Sequence, residues 1–133
     1  MYLLDTNACI RILNGTSPSL AERLRFIPRS QLRLSSVVKA ELLYGARKSG
    51  RVAENLRLLE RFFDTITSLP FDDGCAEEYG LLREELDRAG TPIGANDMLI
   101  AATARAHHAV LVTHNVREFS RVADLRLEDW ESR

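Results

Sequence analysis

The run Ala109-Val110-Leu111-Val112-Thr113 constrains this chain more than any other segment. It is uncharged and shows no polar–apolar alternation, the pattern of a strand buried on both faces in a parallel sheet. Such a strand needs helices above and below it, because a parallel neighbour is reached only through a crossover. The rest of the chain supplies them. Tyr2-Leu3-Leu4 is a short apolar run that breaks into Asp5-Thr6-Asn7, a strand giving way to a helix start. Leu32-Arg33-Leu34-Ser35, the stretch from Ile66 to Phe71 and Leu125-Arg126-Leu127 read as further short strands.

Between these runs lie helix signals. One helix carries Ile10, Ile12 and Leu13 to a stop at Gly15, and the next opens with Ser17 as N-cap and Pro18 in its first turn. Ser36 is the expected cap of a helix running through Tyr44 towards Gly50. Val52, Leu56, Leu59, Phe62 and Phe63 share the stripe of another, whose apolar surface around Leu56, Leu59 and Phe63 suits either core or a subunit interface. Asp72 or Asp73 caps a helix that stops at Gly90, and after the loop Thr91-Pro92-Ile93-Gly94 a helix of small residues follows from Asn96 to Ala104. The order implies an α/β sandwich around a central, mainly parallel sheet.

At 133 residues the chain has the length of one domain, expected over residues 1–133, and its 45% hydrophobic content is enough for a core without staples. The N-terminal apolar stretch is interrupted by Asp5 and Arg11, so neither a signal peptide nor a membrane span is expected. Cys9 and Cys75 stand far apart, with no Cys-x-x-Cys and no Cys/His ligand spacing, which speaks against a disulfide framework or a zinc site and for a reducing cytoplasm. Charge is divided unevenly: residues 1–61 carry eleven Lys/Arg against five Asp/Glu, residues 62–133 seven against fourteen. A positive first half suits a polyanionic partner, although solvated helix faces account for most such charges. No phosphate-binding Gly-rich loop and no Gly-x-Ser-x-Gly elbow occurs.

Three acids stand among apolar neighbours. Asp5 follows the first strand, at the carboxyl edge where open parallel sheets bind ligands, and it is equally placed to cap the next helix. Glu41 shares a helical stripe with Val37, Val38, Tyr44 and Gly45 that holds no Lys or Arg, so it requires a cation or a basic side chain from elsewhere. Asp97 lies in the first turn of the small-residue helix, where the helix dipole favours an anion. The strand at 109–113 runs into Thr113-His114-Asn115, a polar cluster at the same rim. Three carboxylates from separate elements have the character of an all-oxygen site for a hard cation. His107 and His108 are adjacent, cannot share a metal as a helical pair, and read as helix-end residues; His114 is either a substrate contact or a solvated loop residue.

Taken together, Leu3-Leu4-Asp5-Thr6-Asn7, Ser35-Ser36-Val37 with Glu41 and Tyr44-Gly45, Ile93-Gly94-Ala95-Asn96-Asp97 with Ile100-Ala101, and Val112-Thr113-His114-Asn115 with Glu118-Phe119 resemble the PIN-domain signature of VapC toxins. The resemblance is collinear from Tyr2 to Trp130. Pro92-Ile93-Gly94 and the ending Leu127-Glu128-Asp129-Trp130 are similar to the enteric branch that cleaves initiator tRNA. The resemblance implies a PIN-like α/β/α sandwich, a Mg²⁺- or Mn²⁺-dependent endoribonuclease, a VapB-type antitoxin partner and a homodimer. It assigns the metal-binding and catalytic positions to Asp5, Glu41 and Asp97, supporting roles to Thr6 and Asn7, and a hydroxyl beside the metal to Thr113. Many PIN nucleases carry a fourth acid where this chain has Asn115, a neutral oxygen donor, and Glu118 stands one helical turn on.

A cation held by these acids would reverse the local sign for RNA, and basic residues around Arg47, Lys48 and Arg51 are candidate phosphate contacts. In-line attack by water would leave a 5′-phosphate and a 3′-hydroxyl. Such a rim does not read base identity, so selectivity would rest on RNA shape and splayed single-stranded bases, which a tRNA anticodon stem-loop offers. Two rival readings stand beside this one: a catalytically silent PIN-like RNA- or protein-binding module, favoured by Asn115, and a structural α/β domain whose acids only cap helices.

Overall fold

A computed structural model describes residues 1–132, and Arg133, the last residue of the expected domain, lies outside them. Five strands, β1 (Tyr2–Leu4), β2 (Leu32–Ser35), β3 (Thr67–Leu69), β4 (Val110–Val112) and β5 (Leu127–Glu128), form one sheet in the order β3-β2-β1-β4-β5. Every pairing is parallel, with Tyr2 of β1 opposite Leu32 on one side and Val110 on the other. The α/β sandwich expected from the strand pattern is therefore what forms. Leu3, Leu4, Leu34 and Leu111 are fully buried in the sheet, which explains why these strands show no alternation.

Among the described residues the strands are connected through α1 (Thr6–Asn14), α2 (Pro18–Arg25), α3 (Ser36–Arg47), α4 (Val52–Asp64), α5 (Asp73–Ala89), α6 (Ala95–Ala106) and α7 (Val116–Phe119). Ala101, Ala102 and Ala104 of α6 are buried; their small side chains let the helix lie close to its neighbours. Leu59 is buried in α4, and Leu56 and Phe63 are partly buried against the same core. Arg105 ties α6 to α5 through Glu78 at 2.9 Å and Glu85 at 3.3 Å.

Three boundaries differ from those read in the sequence. The cap of α3 is Ser35, whose Oγ accepts from the Val38 amide at 3.0 Å, while Ser36 is the first helical residue; the buried serine, placed at the strand end, faces the orphan amides. β3 stops at Leu69 because Pro70 has no amide to donate to the ladder. The last strand pairs at Leu127 and Glu128, two residues opposite Leu111 and Val112, rather than over 125–127. Asp72 is the cap of α5 and Gly90, at φ +69°, ends it.

Candidate active site

Strand order reverses at β1. The chain moves outward from it through β2 to β3, then returns to its other side with β4 and β5. At such a switch point the connections leave in opposite directions and open a crevice at the carboxyl edge. Asp5, the first residue after β1, sits in that crevice. Its amide donates to the Val112 carbonyl of β4 at 3.1 Å, and its Oδ1 accepts from the Ala8 amide at 2.8 Å, so the expected cap forms. Only 5% of the residue is exposed. Burial pushes its pKa above the usual carboxylate range and the Glu41 charge adds to this, against the Thr113 hydroxyl, the Ala8 amide and the Arg11 charge, which favour the ionised form.

Asp97 approaches from the first turn of α6, where Gly94 is the cap residue and provides no side-chain oxygen of its own. Its pKa is pushed up to about 6, first by burial and then by the negative charges of Glu118, Glu41 and Asp5. This repulsion places all four carboxylates in one field. A Cβ on Gly94 would stand 3.4 Å from Asp97 Oδ2 and 3.9 Å from Glu118 Oε1, so a side chain there would crowd both acids. Glu118, on the short α7, is fixed by the Gly94 amide at 2.9 Å and by the Asn115 side-chain amide at 2.9 Å, which together hold its pKa below the ordinary value.

Glu41 is half-buried and faces α1, not a basic residue: the Thr6 hydroxyl donates to its Oε1 at 2.8 Å. The supporting role of Thr6 is thus exercised on Glu41. The apolar stripe read around Glu41 is only partly inward, since Tyr44 is 66% exposed. A shallow groove joins Glu41 to Asn96 and Leu99 of α6. Thr113 is buried at the end of β4 and its Oγ1 accepts from the Asn115 amide at 3.0 Å.

A cavity of about 180 Å³ opens beside these acids, lined by Asp5, Asn7, Arg11, His114 and Asn115. The His114 ring lies 3.0 Å from Asp129, and these two with Glu131 bring one ligand atom each within 4.8 Å of the others. Asp5, Glu41 and Asp97 do not form so tight a group. Arg11 is tied to Glu131 at 3.1 Å. The basic residues singled out earlier are elsewhere: Arg47 and Lys48 end α3, with the Lys48 ammonium over the Tyr44 ring, and Arg51 precedes α4 and pairs with Glu54 at 3.5 Å. Six helical residues separate Glu41 from Arg47, roughly 9 Å along the axis.

The PIN-domain family profile matches residues 2–125. The chain is a VapC-family PIN domain. It is 41% identical over 129 residues to the tRNA(fMet)-specific endonuclease VapC of Shigella flexneri, covering 97% of each chain, and 39% identical over 132 residues to ribonuclease VapC2 of Rickettsia felis, covering 98% of each. Its fold superposes on the VapBC structure from Salmonella typhimurium, solved with DNA, with a TM-score of 0.92 at 39% identity over 97% of each chain. Membership of this family supports a metal-dependent nuclease function in general. Among the described residues no helix is long and apolar enough to cross a membrane.

Two contributors escaped the sequence reading. Arg11, on α1, and Arg121 are basic residues whose charges act on Asp5 and Glu118 respectively. Only the spacing of Arg11 from Asp5, six residues into a helix opening at the rim, signalled the first; nothing in the sequence signalled the second.

Proposed function

We propose that this chain is the toxin of a VapBC-type pair, a Mg²⁺- or Mn²⁺-dependent endoribonuclease that hydrolyses RNA phosphodiester bonds. The observation that carries the proposal is the gathering of Asp5, Glu41, Asp97 and Glu118 from separate elements at the carboxyl edge of a parallel sheet, where burial and the other three charges push the Asp97 carboxyl up to about 6. An all-oxygen, charge-repelled donor set fits a hard divalent cation. Asp5, Glu41 and Asp97 would hold it, and when bound it would supply the positive charge and Lewis acidity that phosphodiester hydrolysis requires. Thr6 keeps Glu41 aimed at the rim, Thr113 fixes the Asp5 carboxylate, and Asn7 lines the cavity where a scissile phosphate would lie.

Glu118 supports the catalytic reading over a silent module. Asn115 is neutral, but its side-chain amide donates to Glu118, whose charge acts on Asp97, so a fourth carboxylate is available beside the other three. For the substrate we propose initiator tRNA, cut once in its anticodon stem-loop, supported by the tRNA(fMet)-specific name of the Shigella relative. Arg47, Lys48 and Arg51, exposed beyond Glu41, would meet phosphates away from the cut. A VapB-type antitoxin partner is supported by the Salmonella and Rickettsia neighbours, both VapBC complexes, and a homodimer belongs to the same reading.

Purified protein freed of antitoxin should cut structured RNA with Mg²⁺ or Mn²⁺ and stop in chelator. Undiminished cleavage in excess chelator refutes the metal-dependent mechanism. Sequencing RNA from cells making the protein tests the substrate, and intact initiator tRNA with cuts elsewhere removes that part alone.

A further inference from the structure

A second group of ligating side chains lies outside the rim. Asp72 caps α5, Cys75 is the third residue of that helix, and His107 ends α6; each offers one ligand atom, all within 4.8 Å of one another. Cys75 is fully buried, and its thiol lies 3.7 Å from the Pro70 carbonyl. Independently of the cluster, His107 Nε2 is buried with no hydrogen-bond partner among the described residues. A buried polar nitrogen left unpaired is costly, and such atoms are rare in folded proteins. No Lys or Arg belongs to the cluster, and Asp72, on the exposed side, leaves an edge open to water.

We infer that Asp72, Cys75 and His107 form a site for a borderline-soft divalent ion of the zinc class, with water as the fourth ligand. A thiolate, an imidazole and a carboxylate prefer Zn²⁺ or Co²⁺ to Mg²⁺, so this site and the all-oxygen rim select different ions. Tetrahedral zinc sets its ligand atoms roughly 3.4–3.7 Å apart, so the three atoms, already within 4.8 Å of one another, need only a small contraction. Binding replaces the thiol S–H bond with a sulfur–metal bond and releases the proton to solvent. The ion would join the start of α5 to the end of α6, the same pair that Arg105 already links through Glu78 and Glu85. Asp97 lies at the opposite end of α6, so the clamp would stiffen the helix that carries it without touching the rim.

Sequence spacing hides this site, because Cys75 and His107 are brought together only by the antiparallel packing of two helices. The test is a Co²⁺ titration of the chelator-treated full chain in excess Mg²⁺, which competes for the rim. A thiolate-to-cobalt charge-transfer band should grow to one equivalent and be displaced by Zn²⁺. Cys75→Ser should abolish it and His107→Gln should weaken Co²⁺ affinity at least about tenfold, while Cys9→Ser and Asp5→Asn leave the band intact. A hundredfold excess of Zn²⁺ over its Kd should raise Tm by about 5–10 °C in the wild type and not in His107→Gln. His107→Gln decides the matter if Cys75→Ser fails to fold. Absence of the band in the wild type, or a band that survives loss of His107 unchanged, overturns the inference.

Discussion

Replacing Asp97 with Asn is the most informative perturbation of the rim. In chelator the wild-type carboxyl is raised from 3.8 to about 6, so between those values the folded state holds a proton that the unfolded chain has released. The contribution of Asp97 to stability is therefore greatest at low pH and is lost as pH rises through about 6, the reverse of a salt-bridged aspartate. The full shift corresponds to ~3 kcal/mol. Partial exposure and salt screening reduce this to ~1–2 kcal/mol. Against it stands the favourable interaction of a first-turn anion with the dipole of α6, about 0.3–1 kcal/mol, which the amide forfeits. Asp97→Asn should thus be more stable than the wild type by ~1 kcal/mol at about pH 8, with the advantage vanishing near pH 4. Urea denaturation across this range in chelator measures it. Adding Mn²⁺ should reverse the order, stabilising the wild type and not the variant. If the Asp97→Asn variant is the less stable at high pH in chelator, Asp97 is an ordinary first-turn residue and the repulsion argument fails.

Asp5→Asn and Glu41→Gln should each abolish metal-dependent RNA cleavage while near-UV circular dichroism stays native, and retained activity in either removes that residue from the site. Asn115→Asp should replace the hydrogen bond to Glu118 with repulsion, lowering metal-free stability while tightening Mn²⁺ binding in a calorimetric titration. Ser35→Ala should cost ~1 kcal/mol in urea unfolding through loss of the α3 cap, with cleavage unaffected at saturating metal. Arg105→Ala should cost ~2 kcal/mol by unpairing Glu78 and Glu85 at the α5–α6 seam, read by the same method.

The sheet was legible because β1 and β4 lie in its buried centre and carry unbroken apolar runs. The outer strands β3 and β5 were located only approximately, since three- and two-residue ladders are ended by neighbours such as Pro70 and by pairing partners that no local pattern reveals. Asp5 and Asp97 stood out because apolar or small residues surround them. What the sequence withheld was the wiring: Thr6 bonds Glu41 across 35 residues, and Glu118 reaches the Gly94 amide across 24. The basic cluster at 47–51 was conspicuous as a charge run, yet the helix axis carries it away from the rim, while the isolated Arg11 lines the cavity.

The strand order also sets a timetable. β1 is made first, yet one of its two ladders waits for Val110–Val112, so Tyr2 finds its second partner only when most of the chain exists. Non-local parallel pairing of this kind forms late and slowly. Asp5 depends on that ladder for its backbone bond, and Asp97 and Glu118 are themselves encoded in the last third. A nascent chain that has not reached Glu118 therefore has no assembled carboxylate rim, and any hydrolytic capacity of this protein begins only after that residue has been made.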